Sequence, residues 1–184
     1  MNIDPRSLFS NLTEQKLPPI ESWDPPFCGD INICINKDGQ WSYEGSVFTR
    51  LPLVKLFAKV LKKEGNDYFL VTPVEKVRIT VEAEPFITKS LELKNSRIPE
   101  IAFMTTLDDI VIADKEHPIQ VIEKNGFPYP TILIRNNLHA LISRSDFYQL
   151  VEISTSEPIL NNGNSLFSNC IVKSRDCSFS LGQY

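Results

Sequence analysis

Arg50 and Arg135 each end an apolar, strand-like run, GSVFTR and PTILIR, that follows a turn glycine. A guanidinium is a planar fork of donors matched to phosphate or carboxylate, so two arginines in comparable settings suit the clamping of an anion. The same fork suits an internal ion pair, with Glu75 or Asp108 as partner. Thr72 and Glu75, in TPVE, offer acceptors for ribose hydroxyls or a carboxylate for an arginine; a Thr-Pro step also simply breaks a strand. Arg144 opens a predicted helix and can donate to a ligand from there, or stand as a solvated charge. Asp30, after Gly29, either holds a ligand or makes a turn by bonding its own backbone. Tyr43 or Tyr148 can stack on a base. Lys76 and Arg78 face away from the core side of their strand and are expected to be solvated.

Catalytic patterns are missing from the sequence. There is no glycine-rich phosphate loop, no HExxH and no GxSxG. His117 sits beside Pro118 and His139 within an apolar strand, both in structural settings without a neighbouring nucleophile. Asp108, Asp109 and Asp114 are scattered, and adjacent positions 108 and 109 alternate faces of a strand, a poor joint clamp for a metal. A metal-dependent phosphoester hydrolase is therefore the weakest reading, and the expectation is a non-enzymatic protein without cofactor or bound metal. The cysteines form two pairs, Cys28 and Cys34 with five residues between them and Cys170 and Cys177 with six, outside zinc spacing. They are expected to be buried, inert thiols.

The net charge of −4, with no Lys/Arg run longer than that at 62–63, disfavours nucleic acid as a partner. No apolar run approaches the roughly 20 residues of a membrane span, and the N-terminus lacks a basic segment followed by an apolar one. The expectation is a cytoplasmic protein of unassigned oligomeric state.

The elements that must position these residues follow from periodicity. Asp4-Pro5 starts a short amphipathic helix over 5–15. LPPIESWDPPF then forms an extended arm anchored by Trp23 and Phe27. DINICINKDGQWSYEG reads as a hairpin about KDG. Leu53, Leu56, Phe57, Val60 and Leu61 share a helical face, predicting a helix over 51–63 with Gly65 at its C-cap. Pro73 separates DYFLVT from the strand KVRITVE. Further strands are predicted over 88–98, 100–105, 109–113, 118–124, 130–136 and 138–143. A helix capped by Ser145, with Phe147, Leu150 and Val151 inward, follows. NNGNS at 161–165 is a turn, and SNCIVKSRDCSFSLG a final hairpin or strand.

LVTPVEKVRITVEAEPF at 70–86 aligns without gaps to FMTTLDDIVIADKEHPI, 33 positions later, sharing Thr72/Thr105, a carboxylate at Glu75/Asp108, and Ile and Pro positions. INICINKDG before Arg50 and IQVIEKNG before Arg135 form a second parallel. Together they predict a duplication: two α+β units of mostly antiparallel strands, differently ordered around each helix. The boundaries read as an arm over 1–27, a first unit over 28–98 and a second unit with C-terminal tail over 99–184.

CGDI (28–31), WSYEGSVFTR (41–50), LVKLF (53–57) and LVTPVE (70–75) resemble the uncharacterised bacterial family DUF1285 (domain of unknown function 1285). So do VEAEPF (81–86), PYPTILIR (128–135) and LHALISRSDFYQL (138–150). The resemblance spans roughly 27–152; Val47-Phe48 stands where the family usually has Pro-Ile, a packing exchange. It implies a duplicated core whose C-terminal half is superficially similar to pleckstrin-homology folds. It further implies a nucleotide-like ligand where the halves meet and a role in signal transduction. The expected function is therefore a ligand-binding or sensor module for a nucleotide-like or phosphorylated molecule. A protein-interaction domain without small ligand is the alternative.

Overall fold

The computed structural model describes residues 17–94, 97–160 and 166–183. The helix expected over 5–15 and the turn at 161–165 lie outside the described residues. The chain divides into two compact units, Met1–Ala83 and Glu84–Tyr184.

In the first unit a 3-10 turn, Ile20–Ser22, precedes six strands: β1 (Phe27–Ile35), β2 (Trp41–Tyr43), β3 (Ser46–Val47), β4 (Leu61–Glu64), β5 (Asp67–Val71) and β6 (Lys76–Val81). Helix α1 (Leu51–Lys59) falls between β3 and β4. The strands lie in the order β3-β2-β1-β6-β5-β4, parallel between β1 and β6 and antiparallel elsewhere. The β1–β2 hairpin forms as the sequence predicts. Asn36 Oδ1 accepts from the backbone of Asp38 and Gln40, and Gly39 takes φ +74°, the left-handed conformation that glycine adopts without strain. Ile31, Ile33 and Ile35 form the buried side of β1.

Helix α1 begins as expected, with Pro52 in its first turn and Val54, Phe57 and Ala58 buried. It stops at Lys59, however, not at 63. Val60 and Leu61 are fully buried, and the chain leaves the helix so that Leu61–Glu64 can pair with Asp67–Val71. Gly65, at φ +60°, belongs to that hairpin turn and caps no helix. In the preceding arm the buried residues are Ile20 and Pro25, whereas Trp23 is half-buried. Phe27 starts β1 and rests edge-on against Phe69 at 6.2 Å.

The second unit runs β7 (Phe86–Lys94), β8 (Glu100–Thr105), β9 (Ile110–Ile112), β10 (Ile119–Lys124), β11 (Phe127–Arg135), β12 (Leu138–Leu141) and helix α2 (Arg144–Ile153). Its sheet order is β10-β11-β12-β7-β8-β9, with the β7–β12 pair parallel. Counted within their own units, the strands of both sheets follow one order: third, second, first, sixth, fifth, fourth. The helix is inserted after the third strand in one unit and after the sixth in the other. The duplication is thus present, with the helices differently placed, and each unit is an α+β fold.

Its register is not the one that the ungapped match suggests. By strand order β5–β6 corresponds to β11–β12, whereas the match set it against β8–β9. Nor do the arginines occupy matching places: Arg50 follows a third strand and Arg135 ends a fifth. What the matched segments share is a turn device. Thr72 Oγ1 accepts from the backbone N–H of Glu75 at 3.1 Å, and Thr105 Oγ1 accepts from that of Asp109, also at 3.1 Å. The unit boundary also falls earlier than 98/99, because β7 pairs with β8 and β12.

The chain after 153 adds a three-stranded antiparallel sheet, β13 (Thr155–Leu160), β14 (Leu166–Ser174) and β15 (Cys177–Gln183). Arg175, at the β14–β15 turn, ties it to the larger sheet. Its guanidinium donates to Glu100 at 3.1 Å and Asp114 at 2.6 Å, while Ser174 Oγ accepts from the Ile101 N–H at 3.0 Å. All four cysteines are free thiols; Cys170 is buried as expected, but Cys28 is exposed.

Phe57 is fully buried, with Trp41 stacked at 6.1 Å and Phe48 tilted at 5.3 Å. Phe57→Ala should therefore cost about 3–5 kcal/mol, seen in chemical denaturation as early unfolding of the first unit. A loss below about 1 kcal/mol would show that this aromatic cluster does not hold α1.

Candidate functional site

Helix α2 forms one wall of a concavity in the second unit. Its N-cap is Ser143, not Ser145: Ser143 Oγ accepts from the Asp146 N–H at 3.2 Å. The side chain of Asp146 is 2% exposed and turns inward, where Thr88 of β7 donates to its Oδ2 at 2.5 Å. Thr88 Oγ1 also accepts from the Ser143 N–H at 2.9 Å. One hydroxyl thus bridges the buried carboxylate and the helix cap. Leu150 is fully buried, as expected, but Val151 is 43% exposed.

The partly uncovered side of α2, Phe147 and Val151, forms one wall of a groove of about 460 Å³. Val121 and Pro128 contribute from the β10–β11 hairpin, and Cys170 and Leu181 from the C-terminal sheet. Leu181 reaches the groove through a bulge: Cys170 pairs with Gly182 and Ile171 with Ser180, leaving Leu181 as the extra residue, an irregularity that re-aims a side chain. Ser154 Oγ donates to the Val151 carbonyl at 2.7 Å and meets Cys170 Sγ at 2.7 Å. Glu123 and Gln183 supply the polar side chains of an otherwise carbon-rich lining. Sequence reasoning missed this groove. Its trace is the excess of apolar residues on a ten-residue helix, Phe147, Leu150, Val151 and Ile153, more than one buried stripe needs.

Arg144 and Tyr148 come together on the same helix. Arg144 Nε donates to the Tyr148 hydroxyl at 2.9 Å and its guanidinium lies 5.5 Å from the ring centroid. Tyr148 is 57% exposed. Positions 144, 148 and 151 follow helical spacing, so this pair stands beside Phe147 and Val151 on the surface of α2, next to the groove's lining and not part of it.

The other predicted residues are separate from the groove. Arg135 is largely buried, with Nη1 3.6 Å from Asp109 Oδ1 and its guanidinium 4.9 Å from the Phe86 ring centroid. Burial pushes it below its usual range and the Asp109 charge partly offsets this. Arg50 is exposed, and its carbonyl accepts the first bonds of α1. Thr72 and Glu75 hold the β5–β6 turn, the Thr72 hydroxyl also donating to the Glu75 carbonyl at 3.3 Å. Asp30 makes a forked pair with Arg78, Nε–Oδ1 at 2.8 Å and Nη2–Oδ2 at 3.0 Å, so Arg78 is not simply solvated. A β1–β6 register irregularity on either side of Asp30 accompanies this pair, and the Arg78 hydrogen bond holds the Asp30 carboxyl below the usual range. Asp108 pairs with Lys89, Asp109 with Arg135 and Asp114 with Arg175. Among the described residues no three metal-ligating side chains converge, and no helix is long and apolar enough to cross a membrane.

Two α+β units with identically ordered six-stranded sheets, one carrying an apolar groove, define a duplicated-domain protein. The models for the N-terminal domain of DUF1285 (domain of unknown function) and for its C-terminal domain match residues 18–84 and 85–181. The chain belongs to the DUF1285 family. It is similar to the crystal structure of a DUF1285 family protein from Silicibacter pomeroyi DSS-3, at 32% identity and a TM-score of 0.81, over 96% of this chain and 91% of that one. It is also similar to one from Shewanella baltica OS155, at 26% identity and a TM-score of 0.54, over 66% of this chain and 91% of that one. No curated protein matches the chain.

Thr88→Val leaves the buried Asp146 carboxylate and the part-buried Ser143 N–H short of a partner, which should cost about 3 kcal/mol. Thr88→Ser, which keeps the hydroxyl, should recover most of it in equilibrium unfolding. Equal losses in the two variants would assign the effect to the methyl group instead. Because the folded-state pKa of Asp30 is depressed, the pair's contribution is present above about pH 4 and fades as pH falls through that lower value. Asp30→Asn and Arg78→Ala should each flatten the acid side of the first unit's Tm-against-pH profile. An unchanged acid limb would remove this pair from the acid response.

Proposed function

We propose that this protein is a binding module that acts through occupancy and not through turnover, with its receptor site in the groove of the second unit. The observation that carries this reading is the groove itself. It combines an apolar lining, a volume of about 460 Å³ within the range of small-molecule sites, and a wall, α2, that is pinned from behind. Such a module signals by presenting a different surface when filled, and a ligand changes a state only through differential affinity.

A nucleotide-like or phosphorylated ligand held by Arg50 and Arg135, which the sequence suggested, draws less support. Arg135 already faces Asp109 and Phe86, and Arg50 serves an exposed helix start in the other unit. A protein partner is the second reading. It is favoured by the exposed apolar side chains Ile122 and Phe127 on the β10–β11 hairpin, 59% and 73% exposed, since patches of this kind mark interaction surfaces.

The test is a thermal-shift series on the full chain with nucleotides, cyclic dinucleotides, phosphorylated metabolites and the apolar anion 1-anilinonaphthalene-8-sulfonate. The variants Val151→Glu, Arg50→Ala and Arg135→Ala run alongside. A compound at 100 times its Kd should add about 2.7 kcal/mol of stability. The groove reading expects a shift that disappears in Val151→Glu and survives in both arginine variants. A nucleotide shift lost in the arginine variants would move the site to the arginines, and no shift with any compound would favour the protein partner.

A further inference from the structure

The groove is mostly apolar along its lining and different beside it. Val121, Pro128, Phe147, Val151 and Leu181 present carbon, and this suits an apolar chain better than a nucleobase, which needs convergent donors and acceptors. The border carries a cation. Arg144 stands in the first turn of α2, where the helix dipole is itself positive. Asp146 of the same turn is buried against Thr88. Among the described residues no carboxylate pairs with Arg144; its hydrogen bond goes to the neutral phenol of Tyr148. The remaining guanidinium N–H groups and the phenol O–H can donate to an acceptor-rich group. Glu123, in the groove lining, disfavours a head group beside β10, which favours the Arg144 side for a negative charge.

We infer that the occupant is an amphipathic anion, an alkyl or acyl chain lying along the groove with a single carboxylate or phosphate head on Arg144 and Tyr148. The inference rests on the reading of the groove as the receptor site and adds the class of ligand. Chain burial supplies affinity in proportion to the apolar area covered, and the head fixes the direction in which the chain lies. A free acid and a phosphate monoester share this chemistry.

Isothermal titration of the full chain with decanoate, decyl phosphate and the uncharged decanol separates the elements. Decanoate or decyl phosphate should bind at least tenfold more tightly than decanol. Arg144→Ala should weaken the anions by about tenfold, the contribution of one charge-assisted hydrogen bond, and leave decanol unchanged. Val151→Glu should abolish binding of all three; both substituted positions are exposed, so both variants are expected to fold. The anion that binds more tightly names the head group. Equal binding of anions and decanol, or anion binding indifferent to Arg144→Ala, would overturn the ligand class while leaving the groove. Absence of binding by all three, or binding that survives Val151→Glu, would overturn the groove as the receptor site as well.

Discussion

Each sheet is closed at its centre by a parallel pair between the first and last strands of its own unit, β1 with β6 and β7 with β12. A parallel pair cannot be joined by a tight turn. Here the crossover is the rest of the unit, so Cys34 meets Thr80 across 46 positions (80 − 34). The outer hairpins are local and form at small loop-closure cost, whereas the centre brings together residues far apart in sequence and carries the larger entropic penalty. Burial must offset it. Ile33, Ile35 and Val77 in the first unit, and Phe86 and Ala140 in the second, are fully buried around these pairs. Neither half of a sheet is self-sufficient, which explains why the unit divides at 83/84, after the sixth strand, and not within the polar stretch near 98.

This contrast also decides what was legible in the sequence. Hairpins announced themselves, because KDG and the Pro73 break are local chemistry, and most strands fell within a residue or two of where periodicity put them. The end of α1 did not. Val60 and Leu61 suit a helical stripe and a strand alike, and only the demand of the neighbouring β5 for a hairpin partner chooses between them. The gapless match between 70–86 and 103–119 was real at the level of the turn, where a threonine hydroxyl caps a strand end in both copies. Read as a register of the whole repeat it misled, because two unrelated turns with one solution look alike in sequence.

Site chemistry was legible where it is local and hidden where it is assembled. Arg144 and Tyr148, four apart on one helix, do meet. Asp30 finds Arg78, a residue read as solvated, because the parallel β1–β6 pairing that joins them leaves no sequence trace. The groove draws on β10, α2 and β15, and each contributes apolar side chains that in isolation are ordinary residues of a half-buried strand or helix. Only their convergence makes a concavity.

That convergence is held in place before anything binds. The first turn of α2 is fixed to β7 through Asp146 and Thr88, its middle by the buried Leu150, and its end by Ser154 against Cys170 on β14. A wall secured at three heights loses little freedom when the groove fills, so binding there pays little ordering cost. The same rigidity limits what occupancy can report. A pinned helix does not swing, and any differential affinity that drives a response must come from what a ligand adds at the border, where Arg144, Tyr148 and the β10–β11 hairpin meet solvent. Under the proposed reading, receptor and output surface would be one place, and a partner would read the ligand's own exposed end together with these residues.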